Sequence, residues 1–307
     1  MRILITGASG LLGLNLALQL AGKHTVFGVS KRYALQTNRF IVLQTDLLAP
    51  GAVESVLEIA QPDWVIHCAA LADLDACEAD PELASQLNTE LPRKLATLVA
   101  RGGARLVHIS TDAVFDGERG DYIETDTPNP LSVYARTKYA AETAVAETDP
   151  QAIIARVNLF GWSLSGKRSL AEFFFYNLIE GKPVRGFTDV FVCPLLANDL
   201  ADILTTMLGK KLQGLYHVVS KEPVNKYTFG VTLAQQFGLD ASLISPCSVH
   251  EAGLKAVRSP LLTLCPDKLI QALGFPLPTF EEGMKRFFRQ YQENYPQYLK
   301  GMVKCEK

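Results

Sequence analysis

A chain of 307 residues, 48% hydrophobic and 20% charged, is long enough to bury a sizeable core and too apolar to be disordered. Its formal net charge of −2 excludes the basic footprint of a nucleic-acid or anionic-membrane binder. The six cysteines (Cys68, Cys77, Cys193, Cys247, Cys265, Cys305) stand without Cys-x-x-Cys or His/Cys ligand spacing, which reads as buried free thiols in a cytoplasmic protein with no metal site.

Ile3 to Gly22 carries no formal charge and has the length of a signal peptide or membrane span. Its glycines, and a change from a continuous apolar run to helical spacing, read instead as a buried strand, a turn and a helix. Arg2 to Thr6 is the strand and the helix runs to about Leu20. Between them Gly7-Ala8-Ser9-Gly10-Leu11-Leu12-Gly13 is Gly-x-x-Gly-x-x-Gly, in the strand-before, helix-after setting of a dinucleotide-binding turn. Glycines there permit a tight bend, admit backbone N–H groups to a pyrophosphate and let the helix pack on the strand. Cofactor contacts are expected at Gly7, Ser9, Gly10, Leu11, Leu12 and Gly13; a purely structural glycine turn is the alternative.

The second strand, His24 to Val29, ends in Ser30-Lys31-Arg32. An NAD enzyme carries an acidic residue here for the ribose hydroxyls, whereas a hydroxyl and two cations suit a 2′-phosphate. The cofactor is therefore expected to be NADP(H) in preference to NAD(H), with a basic surface turn as the alternative. A strand at Phe40 to Gln44 leads to Asp46-Leu47, where the carboxylate is placed to meet an adenine amine or to form a turn. A helix at about Gly51 to Gln61 precedes the strand Trp64 to Cys68, and Ala69-Ala70 after it leave room for a cofactor backbone. Pro81 to Ala100 reads as a long helix containing Asn88, with a kink or break at Pro92. Leu106 to Asp112 is a fifth strand whose end carries Ser110, Thr111 and Asp112, at the carboxyl edge where open α/β sheets bind ligands.

After a loop rich in Gly, Asp and Pro comes a helix with Tyr134 and Lys138 four residues apart, hence on one face. A neighbouring ammonium favours phenolate, which predicts a lowered pKa for Tyr134 and makes it a candidate acid/base. The spacing alone equally suits an amphipathic helix. A sixth strand follows at Ala152 to Val157. Beyond it the rhythm breaks into helices at Ser169–Glu180, Asn198–Leu208 and Lys226–Phe237, a short strand at Val190–Val192, and a strand at Leu215–Val219 that is a candidate to return to the sheet. The tail holds Pro246, Pro260, Pro266, Pro276 and Pro278. The fold class is α/β: a Rossmann-type doubly wound parallel sheet with a smaller interleaved C-terminal substrate domain. Residues 1–158 plus about 188–219 form the first domain, and about 159–187 plus 220–307 the second.

Gly7/Gly10/Gly13, Asp46-Leu47, Ala69-Ala70, Asn88, Ser110-Thr111 and Tyr134/Lys138 arrive in the order of the extended short-chain dehydrogenase/reductase superfamily, and nearly the whole chain resembles it. Ser110-Thr111-Asp112-Ala113-Val114-Phe115-Asp116-Gly117, Gly214-Leu215-Tyr216-His217 and Tyr227-Thr228-Phe229 resemble segments of dTDP-4-dehydrorhamnose reductases. Methionine adenosyltransferase regulatory beta subunits share most of these features. The resemblance implies catalytic roles for Thr111, Tyr134, Lys138 and Asn88, with Thr111 and Tyr134 on a carbonyl, Lys138 on the nicotinamide ribose and Asn88 on a water relay. It implies a nucleotide-linked 4-keto sugar as substrate, with Asp112, Asn158, Lys226 and Arg258 as substrate-binding candidates. A homodimer is left open. Two departures bear on the sugar, Ala113 in place of a tyrosine and Leu71-Ala72 in place of Tyr-Thr, and the absence after Asp112 of the glutamate of the dehydratases counts against dehydratase chemistry. Epimerase, other carbonyl reductase and non-catalytic regulator are the alternatives.

Overall fold

Parallel strands buried on both faces are written as continuous apolar runs, and each such run in the first half of the chain is a strand of one sheet. The structure, a computed structural model, describes residues 1–251 and 259–303. The strands are β1 (Arg2–Thr6), β2 (Thr25–Ser30), β3 (Ile41–Gln44), β4 (Trp64–His67), β5 (Arg105–Thr111) and β6 (Ile153–Val157). Four short strands follow, β7 (Leu159–Phe160), β8 (Val184–Phe187), β9 (Phe191–Val192) and β10 (Leu195–Leu196), before β11 (Gly214–Val218) returns to the sheet beside β6. The order is β11-β6-β5-β4-β1-β2-β3, every pair parallel. Alternate residues of β1 feed opposite sides: Ile3 and Ile5 join one apolar cluster, Leu4 the other. The strand order reverses between β1 and β4, which opens a crevice at their carboxyl ends.

The helices between these strands are α1 (Leu11–Leu20), α2 (Ala52–Ala60), α3 (Leu74–Ala79), α4 (Pro81–Ser85), α5 (Leu91–Gly102) and α6 (Val133–Thr148). The break expected at Pro92 is found one turn earlier, as a π-turn at Gln86–Glu90. Proline has no N–H for the carbonyl four residues before it, here Asn88, and its ring crowds that carbonyl. Pro92 itself sits in the first turn of α5, where its missing donor costs nothing.

The second half contains α7 (Leu170–Ile179), α8 (Ala197–Gly209) and α9 (Lys226–Phe237), close to the expected positions. β12 (Val224–Asn225) pairs with β9, β13 (Ile244–Cys247) with β8, and β14 (Leu261–Leu262) with β9. Its tail holds three helices that the prolines concealed: α10 (Asp267–Leu273), α11 (Phe280–Gln292) and α12 (Tyr295–Lys300). Trp162, fully buried, stacks on Phe287 of α11 at 3.9 Å between ring centroids. The tail also reaches back to the first half, where the Tyr295 hydroxyl donates to Asn15 Oδ1 at 2.9 Å and the Gln36 N–H to the Met302 carbonyl at 2.7 Å. Cys68, Cys77, Cys193, Cys247 and Cys265 are free thiols, with Cys77 and Cys193 buried as expected and the other three half-buried; Cys305 lies outside the described residues. Among the described residues no helix is long and apolar enough to cross a membrane.

Candidate active site

The glycine turn has the geometry a dinucleotide needs. Gly7 is left-handed at φ +68°, and a Cβ there would lie 2.8 Å from the Ala69 nitrogen. A Cβ on Gly13 would lie 2.3 Å from the Gly7 carbonyl oxygen. These two absences of side chain let α1, the turn and the end of β4 close on one another. Gly10 is the N-cap of α1, with no side-chain cap and no acidic residue in the first turn, so the helix presents its N-terminal N–H groups to an anion. Leu12 and Gly13 are buried, so it is backbone that this turn presents, while Ser9, Gly10 and Leu11 are more open.

At the end of β2 the Ser30 hydroxyl is buried and donates to the Tyr33 carbonyl at 2.9 Å. Lys31 pairs with Asp46 at 2.7 Å, and Arg32 is exposed. Asp46 also accepts from the Leu48 N–H, and Lys31 chiefly holds its carboxyl below the usual range. The two cofactor candidates Lys31 and Asp46 therefore occupy one another. Leu47 is buried in the apolar cluster; Ala69 donates its N–H to Thr6 Oγ1 at 3.2 Å, and Ala70 is exposed.

Ser132 caps α6 by accepting from the Ala135 N–H, and Glu78 of α3 accepts from the Val133 N–H at 2.8 Å. Tyr134 and Lys138 thus start the helix from a fixed end. Burial pushes the Tyr134 phenol up to about 12, with Asp112 and Cys77 adding to the rise and the Thr111 hydroxyl opposing it. The expected lowering by Lys138 is not found, because the ammonium is turned to the Ile109 carbonyl at 2.6 Å and His108 Nε2 at 3.3 Å. Burial draws Lys138 itself down to about 8, against the opposing pull of Glu142 and Cys68. A half-buried phenol that keeps its proton is a proton donor, not a resident base.

Thr111 accepts from the Ala113 N–H and donates to Asp112 Oδ1, both at 3.2 Å. Asn158 donates to Asp112 Oδ2 at 2.6 Å. Burial raises Asp112 to about 6, with the Asn158 and Thr111 bonds and the charge of Lys226 opposing. Lys226 lies over the Phe187 ring at 5.6 Å. Arg258 lies outside the described residues.

Asn88 is fully buried in the π-turn, and its amide is committed. It accepts from the Leu71 N–H at 2.8 Å and donates to the Leu71 carbonyl at 3.0 Å and Thr137 Oγ1 at 3.2 Å. The amide ties the loop after β4 to α6. Two groups escaped the sequence reading. Glu142, one turn beyond Lys138, accepts two bonds from Arg156 and one from Ser110, all buried. His67 and His108 stand side by side on β4 and β5. The signal for Glu142 was its four-residue step from Lys138; nothing in the linear order pairs the histidines. The hollow lined by Thr89, Arg93, Arg136 and Tyr139 lies between α5 and α6 and holds none of these groups.

A glycine turn on β1, hydroxyls at the end of β5 and a Tyr/Lys pair on α6 define an NAD(P)-dependent oxidoreductase of the extended short-chain dehydrogenase/reductase superfamily. The chain belongs to the RmlD substrate binding domain family, whose model matches residues 1–293. It is 32% identical to the probable low-salt glycan biosynthesis reductase Agl14 of Haloferax volcanii over 286 residues, covering 91% of this chain and 95% of that protein. It is also 32% identical to methionine adenosyltransferase 2 subunit beta of Mus musculus over 294 residues, covering 92% and 86%. The dTDP-4-dehydrorhamnose reductase of Bacillus anthracis, solved in complex with NADP, superposes with a TM-score of 0.84 at 28% identity, covering 94% of this chain and 99% of that one.

Proposed function

We propose that this protein is an NADPH-dependent reductase of a nucleotide-linked 4-keto sugar. The observation that carries the reading is the half-buried Tyr134 phenol, held protonated beside Thr111 at the carboxyl edge of the same sheet that bears the glycine turn. Bound NADPH supplies the hydride. Gly7, Gly10 and Gly13 bring backbone N–H groups to its pyrophosphate, and Lys138 holds its nicotinamide ribose. Lys31 and Arg32 take the 2′-phosphate, which requires Lys31 to exchange Asp46 for it. Tyr134 donates its proton to the oxygen that becomes the new hydroxyl, while Thr111 turns its hydroxyl from Asp112 to that same oxygen. Asn88 positions α6 through Thr137. Residues 1–158 plus about 188–219 carry the cofactor; 159–187 plus 220–307 hold the sugar nucleotide, with Asp112, Asn158, Lys226 and Arg258 as its partners.

The NADP-bound solved relative and the glycan-biosynthesis relative support this reading. The test is an NADPH-oxidation screen against dTDP-, UDP- and GDP-4-keto sugars with Tyr134→Phe as control. Substrate-dependent oxidation that the control lacks is expected; an isomerised sugar without net oxidation would instead reveal an epimerase. A second reading rests on the beta-subunit relatives, which match at the same identity. A non-catalytic regulator would bind NADPH, turn over no keto sugar and co-purify with a synthetase.

A further inference from the structure

Thr6 of β1, His67 of β4 and His108 of β5 are in register across the sheet, Thr6 opposite His67 and His67 opposite His108. In-register neighbours project from one face, so the three side chains form a row near the strands' carboxyl ends. The imidazoles are 1% and 0% exposed and stack at 5.6 Å between centroids, 23° from parallel. At one end of the row Thr6 Oγ1 and His67 Nδ1 are 2.7 Å apart. At the other, Lys138 arrives from α6 with Nζ 3.3 Å from His108 Nε2.

A row of buried polar rings in parallel strands is not what packing alone selects, because such strands favour Val, Ile and Leu. His67 Nε2 and His108 Nδ1 are buried without a hydrogen-bond partner, a desolvation cost that an aliphatic side chain would avoid. The contact with Lys138 accounts for keeping His108. An ammonium has three N–H donors and no acceptor, so the bond requires a lone pair on Nε2 and a neutral ring carrying its proton on Nδ1. Burial keeps His67 and His108 neutral, and the charge of Lys138 presses the same way. His67, anchored by Thr6, stacks against His108.

We propose that His108, backed by His67, is the positioning residue of Lys138: its Nε2 accepts one ammonium proton, the Ile109 carbonyl accepts a second, and the third is left for a bound group. This deepens the reductase reading and rests on it for its catalytic meaning. The other ionisable groups facing Lys138 are Glu142, one turn along α6 and bound to Arg156, and the thiol of Cys68, kept neutral by burial. Burial draws the ammonium down, so loss of the His108 acceptor removes one of the bonds that keep it charged.

The decisive measurement is made on the unaltered protein by ¹⁵N NMR of the histidine rings. His108 is expected as the neutral Nδ1–H tautomer from pH 5.5 to 9; an Nε2–H tautomer or a doubly protonated ring overturns the proposal. Lysine ¹³Cε NMR, with Lys138→Ala for assignment, then follows the ammonium. His108→Gln, which keeps a neutral acceptor, is expected to titrate near the unaltered protein, and His108→Leu about one pH unit lower. Equal midpoints in all three would overturn the proposal, and should His108→Leu not fold, the ring tautomer and the glutamine variant still decide. Neither readout involves a keto sugar. The expected spectra without turnover would leave the positioning role standing and overturn only the reductase reading.

Discussion

At the scale of the residue, the site is governed by burial more than by the Tyr134–Lys138 spacing. Because Tyr134 is pushed up to about 12, its proton is present throughout the working range, and the group that changes state above neutrality is Lys138 at about 8. Tyr134→Phe is expected to lower kcat by about 10²–10⁴-fold, with NADPH affinity unchanged in a fluorescence titration. On the proposed reading the rate of reduction should fall as pH rises through about 8, where Lys138 loses the charge proposed to hold the cofactor. Asp112 supplies a second inflection near 6. Above it the carboxylate draws the Thr111 proton to itself and opposes phenolate at Tyr134; below it both effects relax, so reduction should quicken. Asp112→Asn is expected to erase that inflection in the pH profile of kcat/KM. The stability sign follows from the same shift. A folded-state pKa raised above the unfolded value means the native state binds the extra proton between about 4 and 6. Asp112 therefore costs stability above about 6 and the cost disappears as pH falls through that window, so Asp112→Asn should stabilise the protein at pH 7.5 and lose that advantage near pH 4 in urea titrations.

At the scale of the element, the glycine turn shows what spacing can and cannot reveal. Gly-x-x-Gly-x-x-Gly between a strand and a helix was legible because most of its meaning is local: Gly10 and Gly13 answer to atoms within the turn, while the close approach of Gly7 to Ala69 after β4 emerges only from the fold. The π-turn was half legible. Pro92 announced a disturbance, but the displaced carbonyl belongs to Asn88, and only the fold shows that the resulting bulge turns its amide onto Leu71 and Thr137. Gly13→Ala places a Cβ where the Gly7 carbonyl already stands, and backbone cannot yield as a flexible side chain does. Its expected effect is a loss of about 1–3 kcal/mol in thermal or chemical denaturation and at least a tenfold weakening of NADPH binding. Gly22→Ala, with open space around its Cβ, is the matched control and should change neither. Equal behaviour of the two variants would refute the packing role given to Gly13.

At the scale of the molecule, the sheet was legible and the C-terminal helices were not, for one physical reason. Strands buried on both faces carry their signal in a few consecutive residues, whereas α10, α11 and α12 lie among prolines that read as breakers. In the structure Pro276 and Pro278 lie between helices, and Pro296 occupies the first turn of α12, where a proline is tolerated. The histidine row was illegible for another reason, since its members come from three strands and meet only through register. One apolar cluster spans both of the interleaved domains expected from the sequence, running from Ile3 and Leu14 through Leu196 and Leu200 to Trp162, Phe229 and Phe287. Asn15 of α1 reinforces it, bonding the Trp162 carbonyl and the Tyr295 hydroxyl. Two halves of the chain that share a core should unfold together. The two tryptophans permit a direct test, because Trp64 reports from β4 and Trp162 from the stack on Phe287. Single-tryptophan variants Trp162→Phe and Trp64→Phe are expected each to show one guanidinium transition whose fluorescence midpoint coincides with that of far-UV circular dichroism on the same variant. Each variant has its own stability, so the comparison is between probes within a variant. A tryptophan signal that moves ahead of the backbone signal would mean that the core divides, and that the part reported by that tryptophan can open while the rest stays folded.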